Sequence, residues 1–418
     1  MIRETSAPRS RIMPCPLGWP VFAIVLFFST PGIVQAVDTL RVMTYNIWVG
    51  GTAVGQPLSR TVGVIQAAGA DVVGLQEQGS SGPALAAALG FQYHNLGGST
   101  AILSRYPIVQ SLGQGAKLQL SPTQEAFIFN VHLTPFPYQP YDIRDGLIST
   151  ESQAIAAAQE TRSAASVLSN ISSALVSGAP VFLTGDFNEP SHLDWTQEAA
   201  DAGLNFNMKV NWPTSRSVTD AGLTDAFREV RPDEVNDRGE TWTPGYPAPN
   251  LDADEVHDRI DFVYYSGFNV TPTSAQILGY DENDGNTDIG IQPYPSDHRA
   301  VVVEFEMPAC FALGDLNGDC SLTAADWTQF RNGQYANMTG LSASQAYQLG
   351  DLTGDFKNNH ADFVIFKSAW DASHGAGSFL QMLNRVPEPA SVVMAMWALL
   401  ALPAFRRRES RLPIRYRQ

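Results

Sequence analysis

Six apolar runs in this chain end on, or lead out of, side chains that can hold a proton or a cation. The run 40–45 ends in Asn46, 72–76 in Glu77, 127–131 in His132, and 181–185 in Asp186, with Asn188 two positions on. Asp261 is carried into the run that begins Arg259-Ile260, and Asp297-His298 precede 300–305. Carboxylates, amides and imidazoles are the oxygen and nitrogen donors that divalent cations take. The same groups move protons in hydrolysis. Singly, an Asn or Asp after a strand is a turn former, and a lone His is a satisfied structural side chain. In this order and spacing they describe one site.

Placing them falls to the elements behind them. Runs 40–45, 71–75, 126–131 and 181–184 read as buried strands, while 59–68, 83–89 and the Ala-rich 151–175 read as helices. Strands and helices alternating this way make an α/β protein, in which ligands collect at the carboxyl ends of the strands.

The assembled pattern resembles the endonuclease/exonuclease/phosphatase superfamily over about residues 39–305. The matching blocks are Thr44-Tyr45-Asn46, Leu75-Gln76-Glu77, the stretch 101–108, Val131-His132-Leu133, Gly185-Asp186-Phe187-Asn188, Arg259-Ile260-Asp261 and Ser296-Asp297-His298. Gly-Asp-x-Asn and Ser-Asp-His are the specific ones. That group includes pancreatic-type deoxyribonucleases, apurinic endonucleases, secreted sphingomyelinases and inositol polyphosphate phosphatases. The resemblance implies a four-layer α/β sandwich, two packed sheets with helices outside, and a metal-assisted attack of water on phosphorus. It implies that Glu77, with Asn46 and Asp297, holds Mg²⁺ or Mn²⁺, and that Asp186 is the base for the attacking water. Asn188 is expected to donate to the phosphate or fix the water. His298 would offset the growing phosphate charge, with Asp261 holding its ring through the opposite nitrogen, and His132 would contact the phosphate or assist the leaving group. The opposed reading is a catalytically silent hydrolase fold serving as a scaffold.

Charge narrows the substrate. The 418 residues carry a formal net charge of −16. Residues 1–36 sum to +2 (Arg3, Arg9, Arg11 against Glu4) and 391–418 to +5 (six Arg against Glu409), leaving −23 between them. A body this acidic binds polyanions poorly unless cations sit on it. Arg144, Arg162, Arg216, Arg228 and Arg259 are dispersed and form no basic stripe in sequence. The loops 134–144 and 241–247, rich in Pro and aromatics, are suited to stacking a base, covering a sugar or touching a lipid, or are ordinary Pro-stiffened loops.

Both ends read as addresses. Residues 1–36, with an Arg-bearing start, the apolar run 17–28 and Val34-Gln35-Ala36, have the layout of a secretory signal peptide. The tail 386–418, with Pro387-Glu388-Pro389, apolar 392–405 and Arg406-Arg407-Arg408, resembles the Pro-Glu-Pro C-terminal sorting signal of some Gram-negative bacteria. That implies transient membrane anchoring, exosortase-type processing and delivery to the cell surface or medium; a permanent membrane tail is the rival. Cleavage of the signal leaves Cys310 and Cys320, expected to close one local disulfide in an oxidising compartment or to remain two thiols.

Between a catalytic domain at 37–306 and this tail, residues 310–384 carry an acidic loop twice. Asp315, Asn317, Asp319, Ser321 and Asp326 are followed, 36 positions on from Gly314 to Gly350, by Asp351, Thr353, Asp355 and Asp362. Acids at loop positions 1, 5 and 12 with an oxygen donor at 3 have the spacing of a Ca²⁺ loop. The pair of loop–helix units resembles a dockerin type I module, a small α-helical Ca²⁺-binding domain, which implies a cohesin-like partner. Cys320 and Phe356 stand where such loops have Gly, and Thr353 where Asn or Asp is usual, so the second loop is expected to bind Ca²⁺ more weakly.

Overall fold

The computed structural model describes residues 37–384 apart from 176 and 342. The expected signal and sorting segments lie outside these residues. Among the described residues thirteen strands form two mixed sheets. In chain order they are β1 (Thr39–Asn46), β2 (Val72–Gln76), β3 (Gln92–Gly97), β4 (Thr100–Ser104), β5 (Ile108–Leu112), β6 (Gly115–Ser121), β7 (Gln124–His132), β8 (Val181–Asp186), β9 (Thr224–Asp225), β10 (Asp261–Ser266), β11 (Thr271–Gly279), β12 (Ile289–Gly290) and β13 (Ala300–Glu306). One sheet runs β12-β11-β13-β1-β2-β4-β3 and the other β5-β6-β7-β8-β10-β9.

The period-two pattern of β1 shows how the layers form. Leu40 and Val42 face the second sheet, packing with Ile102, Leu118, Ile128 and Phe182, while Met43 and Tyr45 face outward onto Val64, Ile65 and Leu85 of the helices Ser59–Ala67 and Gly82–Leu89. The other sheet buries its outer face under Val167 and Ile171 of Ala165–Leu175 and Val218 of Pro213–Asp220. The result is two mixed sheets flanked by helices.

A polar seam crosses the dry interior just below the strand ends. Gln76 Nε2 donates to Asn130 Oδ1 (2.6 Å) and Asn130 Nδ2 to the carbonyls of Leu75 and Ala101. Thr184 Oγ1 donates to the Asn130 side chain and Phe129 O, in reach of both at 3.1 Å. A Cβ on Gly74 would collide with Thr184 Oγ1, so glycine there is what lets the sheets approach.

The Ala-rich stretch expected as one helix is two, Glu151–Thr161 and Ala165–Leu175. Arg162 breaks it. Its backbone is extended, and its buried guanidinium donates to the carbonyls of Thr134, Pro135 and Pro137 and to Gln139 Oε1. Its buried guanidinium finds acceptors in those loop carbonyls, and this outweighs one more turn of helix.

Residues 310–384 add the helices Ala324–Asn332, Ala343–Gln348, His360–His374 and Ser378–Leu383 around Trp327, Phe330, Phe366, Trp370 and Phe379. Phe268, from the turn after β10, belongs to the same cluster and meets Tyr347 (centroids 5.8 Å apart). Cys310 and Cys320 are bonded to each other. Among the described residues no helix is long and apolar enough to cross a membrane.

Candidate active site

Parallel pairing of β1 with β2 sets Asn46 beside Gln76, so Glu77 follows at the same edge. In the second sheet, β7 places His132 opposite Asp186 on β8, and β10 places Asp261 opposite Asp186 from the other side. One register row thus carries His132, Asp186 and Asp261, and Asn46 reaches across from the other sheet. Its Nδ2 donates to Asp186 Oδ2 (3.0 Å), with Glu77 Oε1 and His298 Nε2 each 3.4 Å away. Asn46, Glu77, His132, Asp186, Asp261 and His298, all singled out in the sequence, therefore meet in one place.

Asp186 is the hub. Its Oδ1 accepts the backbone N–H of Asn188 (2.9 Å), and its Oδ2 lies 3.4 Å from His132 Nε2 and 3.7 Å from His298 Nε2. His298 Nδ1 is 2.9 Å from Asp261 Oδ2. Burial alone would lower the His298 pKa, but Asp261 and Asp186 raise it to about 10, so the ring is an imidazolium at neutral pH. Asn188 spends one amide hydrogen on Leu133 O (3.0 Å) and keeps the other.

The acids left over fit a cation. Burial pushes the Asp297 carboxyl up to about 6; His298 lowers it, and Glu77 and Asp186 add to the rise. Its Oδ1 is buried and has no hydrogen-bond partner, which is costly for an acceptor. Glu77 faces the same space, one oxygen taken by the Val49 N–H (2.9 Å). Hard oxygens of this kind suit Mg²⁺ or Mn²⁺. Asn46 turns its NH₂ to the acids and its oxygen to the Trp48 N–H (3.1 Å), so it tempers their repulsion beside the space a cation could fill. Asp186, Asp261 and His298 also bring ligand-capable atoms within 4.8 Å of one another, but a protonated imidazole already bonded to a carboxylate is a poor ligand.

Several supporting residues were missed in the sequence. Ser99 Oγ lies 3.3 Å from His132 Nδ1, and Thr241 Oγ1 accepts the backbone N–H groups of Ile260 and Asp261, aiming Asp261. Trp48, Val49, Glu77 and Asn188 all have positive φ, a conformation uncommon for non-glycine residues and enriched at functional sites. No local signal marks Ser99, Thr241, Trp48 or Val49; only polar residues inside apolar runs, such as Gln76 and Asn130, were readable hints.

The cleft has a volume of about 350 Å³ and is walled by Trp48, Val49, Phe136, Tyr138, Tyr141 and Trp242. None of its lining residues is Lys or Arg. The arginines picked out in sequence serve elsewhere: Arg259 is buried between Asp194 and Asp225, Arg228 binds Asp194, and Arg216 pairs with Asp220. Arg162 caps loop carbonyls, and Arg144 pairs with Asp145 over the Tyr141 ring.

Glu189, next to Asn188, gives a stability prediction. Burial raises its pKa to about 7, against hydrogen bonds from Thr214. A carboxyl whose folded pKa is raised supports the fold below its unfolded pKa of about 4.5 and loses that support as pH rises to about 7. At about 1.4 kcal/mol per unit the loss is about 3 kcal/mol. Glu189→Gln is therefore expected to melt above wild type at pH 8 and level with it at pH 4.5. Parallel melting curves across that range would exclude the assignment.

Sheets, strand-end residues and cleft together are those of a phosphoester-cleaving α/β sandwich. The chain belongs to the endonuclease/exonuclease/phosphatase family, whose model matches residues 43–298. It is similar to an uncharacterized protein of Caenorhabditis elegans, at 29% identity over 295 residues, covering 64% of this chain and 91% of that one. Among solved structures it is similar to an endonuclease/exonuclease/phosphatase from Beutenbergia cavernae DSM 12333 (18% identity, 65% of this chain, 72% of that one, TM-score 0.42). It is also similar to the human Nocturnin catalytic domain with bound sulfate anion (15% identity, 65% and 96%, TM-score 0.39). The same holds for D. rerio TDP2 complexed with single-strand DNA product (20% identity, 64% and 99%, TM-score 0.39).

Proposed function

We propose that this chain is an exported, metal-dependent phosphodiesterase whose Asp186 is the general base. The observation that carries the reading is His298, paired with Asp261 and 3.7 Å from Asp186, in one cleft with the Glu77/Asp297 pair. Mg²⁺ or Mn²⁺ bound by Glu77 and Asp297 beside Asn46 supplies Lewis-acid polarisation of the phosphate. Asp186, fixed by the Asn188 N–H, takes the proton of the attacking water. His298 and the free Asn188 amide hydrogen offset the negative charge that develops on phosphorus oxygens. As the bond to the leaving oxygen breaks, His132, with Ser99 behind it, is placed to return a proton.

The acidic loops support a Ca²⁺-binding, dockerin-like role for 310–384. Asp351, Asp355 and Asp362 bring oxygens within 4.8 Å of one another. This gathering is found in the second loop, the one expected to be weaker. There Asp351 Oδ1 draws in the Asp355 N–H (3.1 Å), whereas in the first loop Asp319 turns to Asn317 Nδ2. Cys320 and Phe356 accept left-handed backbones (φ +70° and +58°), and their N–H groups donate to Asp315 and Asp351 (2.8 and 2.7 Å). A cohesin-like partner, exosortase-type processing and surface display complete the proposal.

The test is a panel of DNA, RNA, phospholipid and small phosphodiesters with Mg²⁺, Mn²⁺ or Ca²⁺. Hydrolysis lost with chelator and restored by one metal is the expected result; no turnover on any member would favour the scaffold. With no Lys or Arg among the described residues that line the cleft, rates should vary little with NaCl. Each Lys or Arg phosphate contact would add about 0.9 to the log–log slope, so a steep slope on long duplex DNA at saturating metal would reveal a basic track.

A further inference from the structure

The segments 134–147 and 241–250 contribute to the cleft wall, and one carboxylate from the neighbouring loop 251–258 ties them together. Glu255 Oε1 accepts from the Tyr141 hydroxyl (2.6 Å), from Trp242 Nε1 (3.2 Å) and from the N–H of Val256 (2.9 Å). The Tyr246 hydroxyl lies 2.9 Å from Glu255 Oε2 and 2.8 Å from Asp252. Burial pushes the Glu255 carboxyl up, but these donors outweigh it and hold it below the usual range, so it is charged at neutral pH. Glu255 does not line the cleft.

What Glu255 holds in place is an indole that presses on the catalytic imidazole. Trp242 lies 5.0 Å from the His298 ring, centroid to centroid, at 60°. On its far side it stacks on Tyr246 (6.2 Å, 18°). Its backbone pairs with Asp258 and with His298. The hydrogen bond that His298 Nδ1–H donates to Asp261 fixes one nitrogen but leaves the ring free to turn about that bond; a ring packed against it removes that freedom. Trp242 is itself pinned at its nitrogen by Glu255, at its face by Tyr246 and at its main chain by two bridges.

We propose that Glu255 is a positioning residue that, through Trp242, locks the plane of the His298 ring for phosphodiester hydrolysis, a role that rests on the function proposed above. The same carboxylate fixes Tyr141 in the cleft wall, so loops distant in sequence move as one with the imidazole. Of the aromatic segments left open in sequence between substrate stacking and loop stiffening, one ring, Trp242, is engaged by His298, Tyr246 and Glu255.

The test compares Glu255→Ala, Glu255→Gln and wild type on bis(p-nitrophenyl) phosphate with saturating Mn²⁺. Misplacing a reacting group by a fraction of an ångström costs about tenfold in turnover. Glu255→Ala is therefore expected to lower kcat about tenfold with KM within about twofold, and Glu255→Gln, which keeps an acceptor for Tyr141 and Trp242, to recover most of it. A raised KM at unchanged kcat would make the hub a substrate contact and overturn the proposal, as would no change in either. If wild type hydrolyses nothing, the phosphodiesterase reading fails by itself and the imidazole spectrum decides. The His298 ring resonance, identified by its loss in His298→Gln, should shift or broaden in Glu255→Ala; an unaltered resonance overturns the positioning role. Melting temperatures of all variants separate misfolding from misplacement.

Discussion

Asp186→Asn and His298→Ala are each expected to lower kcat on the best substrate by about 10²–10⁴, the usual loss for a group that transfers or stabilises a proton. Asp186 sits between His132, Asn46 and Asn188, and the amide keeps an oxygen for the Asn188 N–H while losing the basicity water needs. Removing His298 takes away the positive charge facing the phosphate and strands Asp261, whose other oxygen already has no partner. The two variants should differ in stability. Asp186→Asn should melt near wild type, whereas His298→Ala leaves a buried acceptor unpaired at a cost of about 1–3 kcal/mol. Near wild-type turnover in either, measured at saturating metal with the melting curve alongside, would refute the assigned roles.

Calcium should change residues 313–384 by a comparably large amount. Asp315 and Asp351 are held above the usual carboxylate range first by burial and then, among other influences, by the neighbouring acids Asp326 and Asp362. Asp326 and Asp362 are fully buried and accept backbone N–H groups from loop and helix start at once. A cation among these carboxylates removes their repulsion. At free Ca²⁺ about 100 times Kd it adds about 2.7 kcal/mol to the folded form. Limited proteolysis of the full chain should therefore spare this segment in Ca²⁺ and cut it in chelator, with Asp362→Asn cut in both. Equal digestion would count against Ca²⁺ binding. The Cys310–Cys320 bond closes the first loop and blunts the contrast, so oxidised and reduced protein should be compared. Because Phe268 packs into the same aromatic cluster, cleavage is expected to report on the turn after β10 as well.

Much of the site was legible because its chemistry lies at strand ends. A buried strand is an unbroken apolar run, so the residue that breaks it stands out, as Asn46, Glu77, His132 and Asp186 do. Gly-Asp-x-Asn and Ser-Asp-His added Asn188 and the Asp297-His298 pair, and the loop repeat was visible from spacing alone. Helix ends were less legible. Nothing local separates a helix over 151–175 from two shorter ones, because Arg162 turns inward only to reach carbonyls of a loop that is distant in sequence.

The sequence by itself determined most element types, the polar residues that stand at the strand ends and the overall acidity, since each depends on residue type and short-range order. Tertiary structure alone decided three things. It set His132, Asp186 and Asp261 in one register row, which is a matter of strand pairing. It chose between the uses open to the aromatic loops, giving Trp242 to His298 and Glu255. And it spent Arg228 and Arg259 on buried acids. Pairing, packing and charge neutralisation join residues far apart in the chain, and their energies exist only once the chain has brought those residues together.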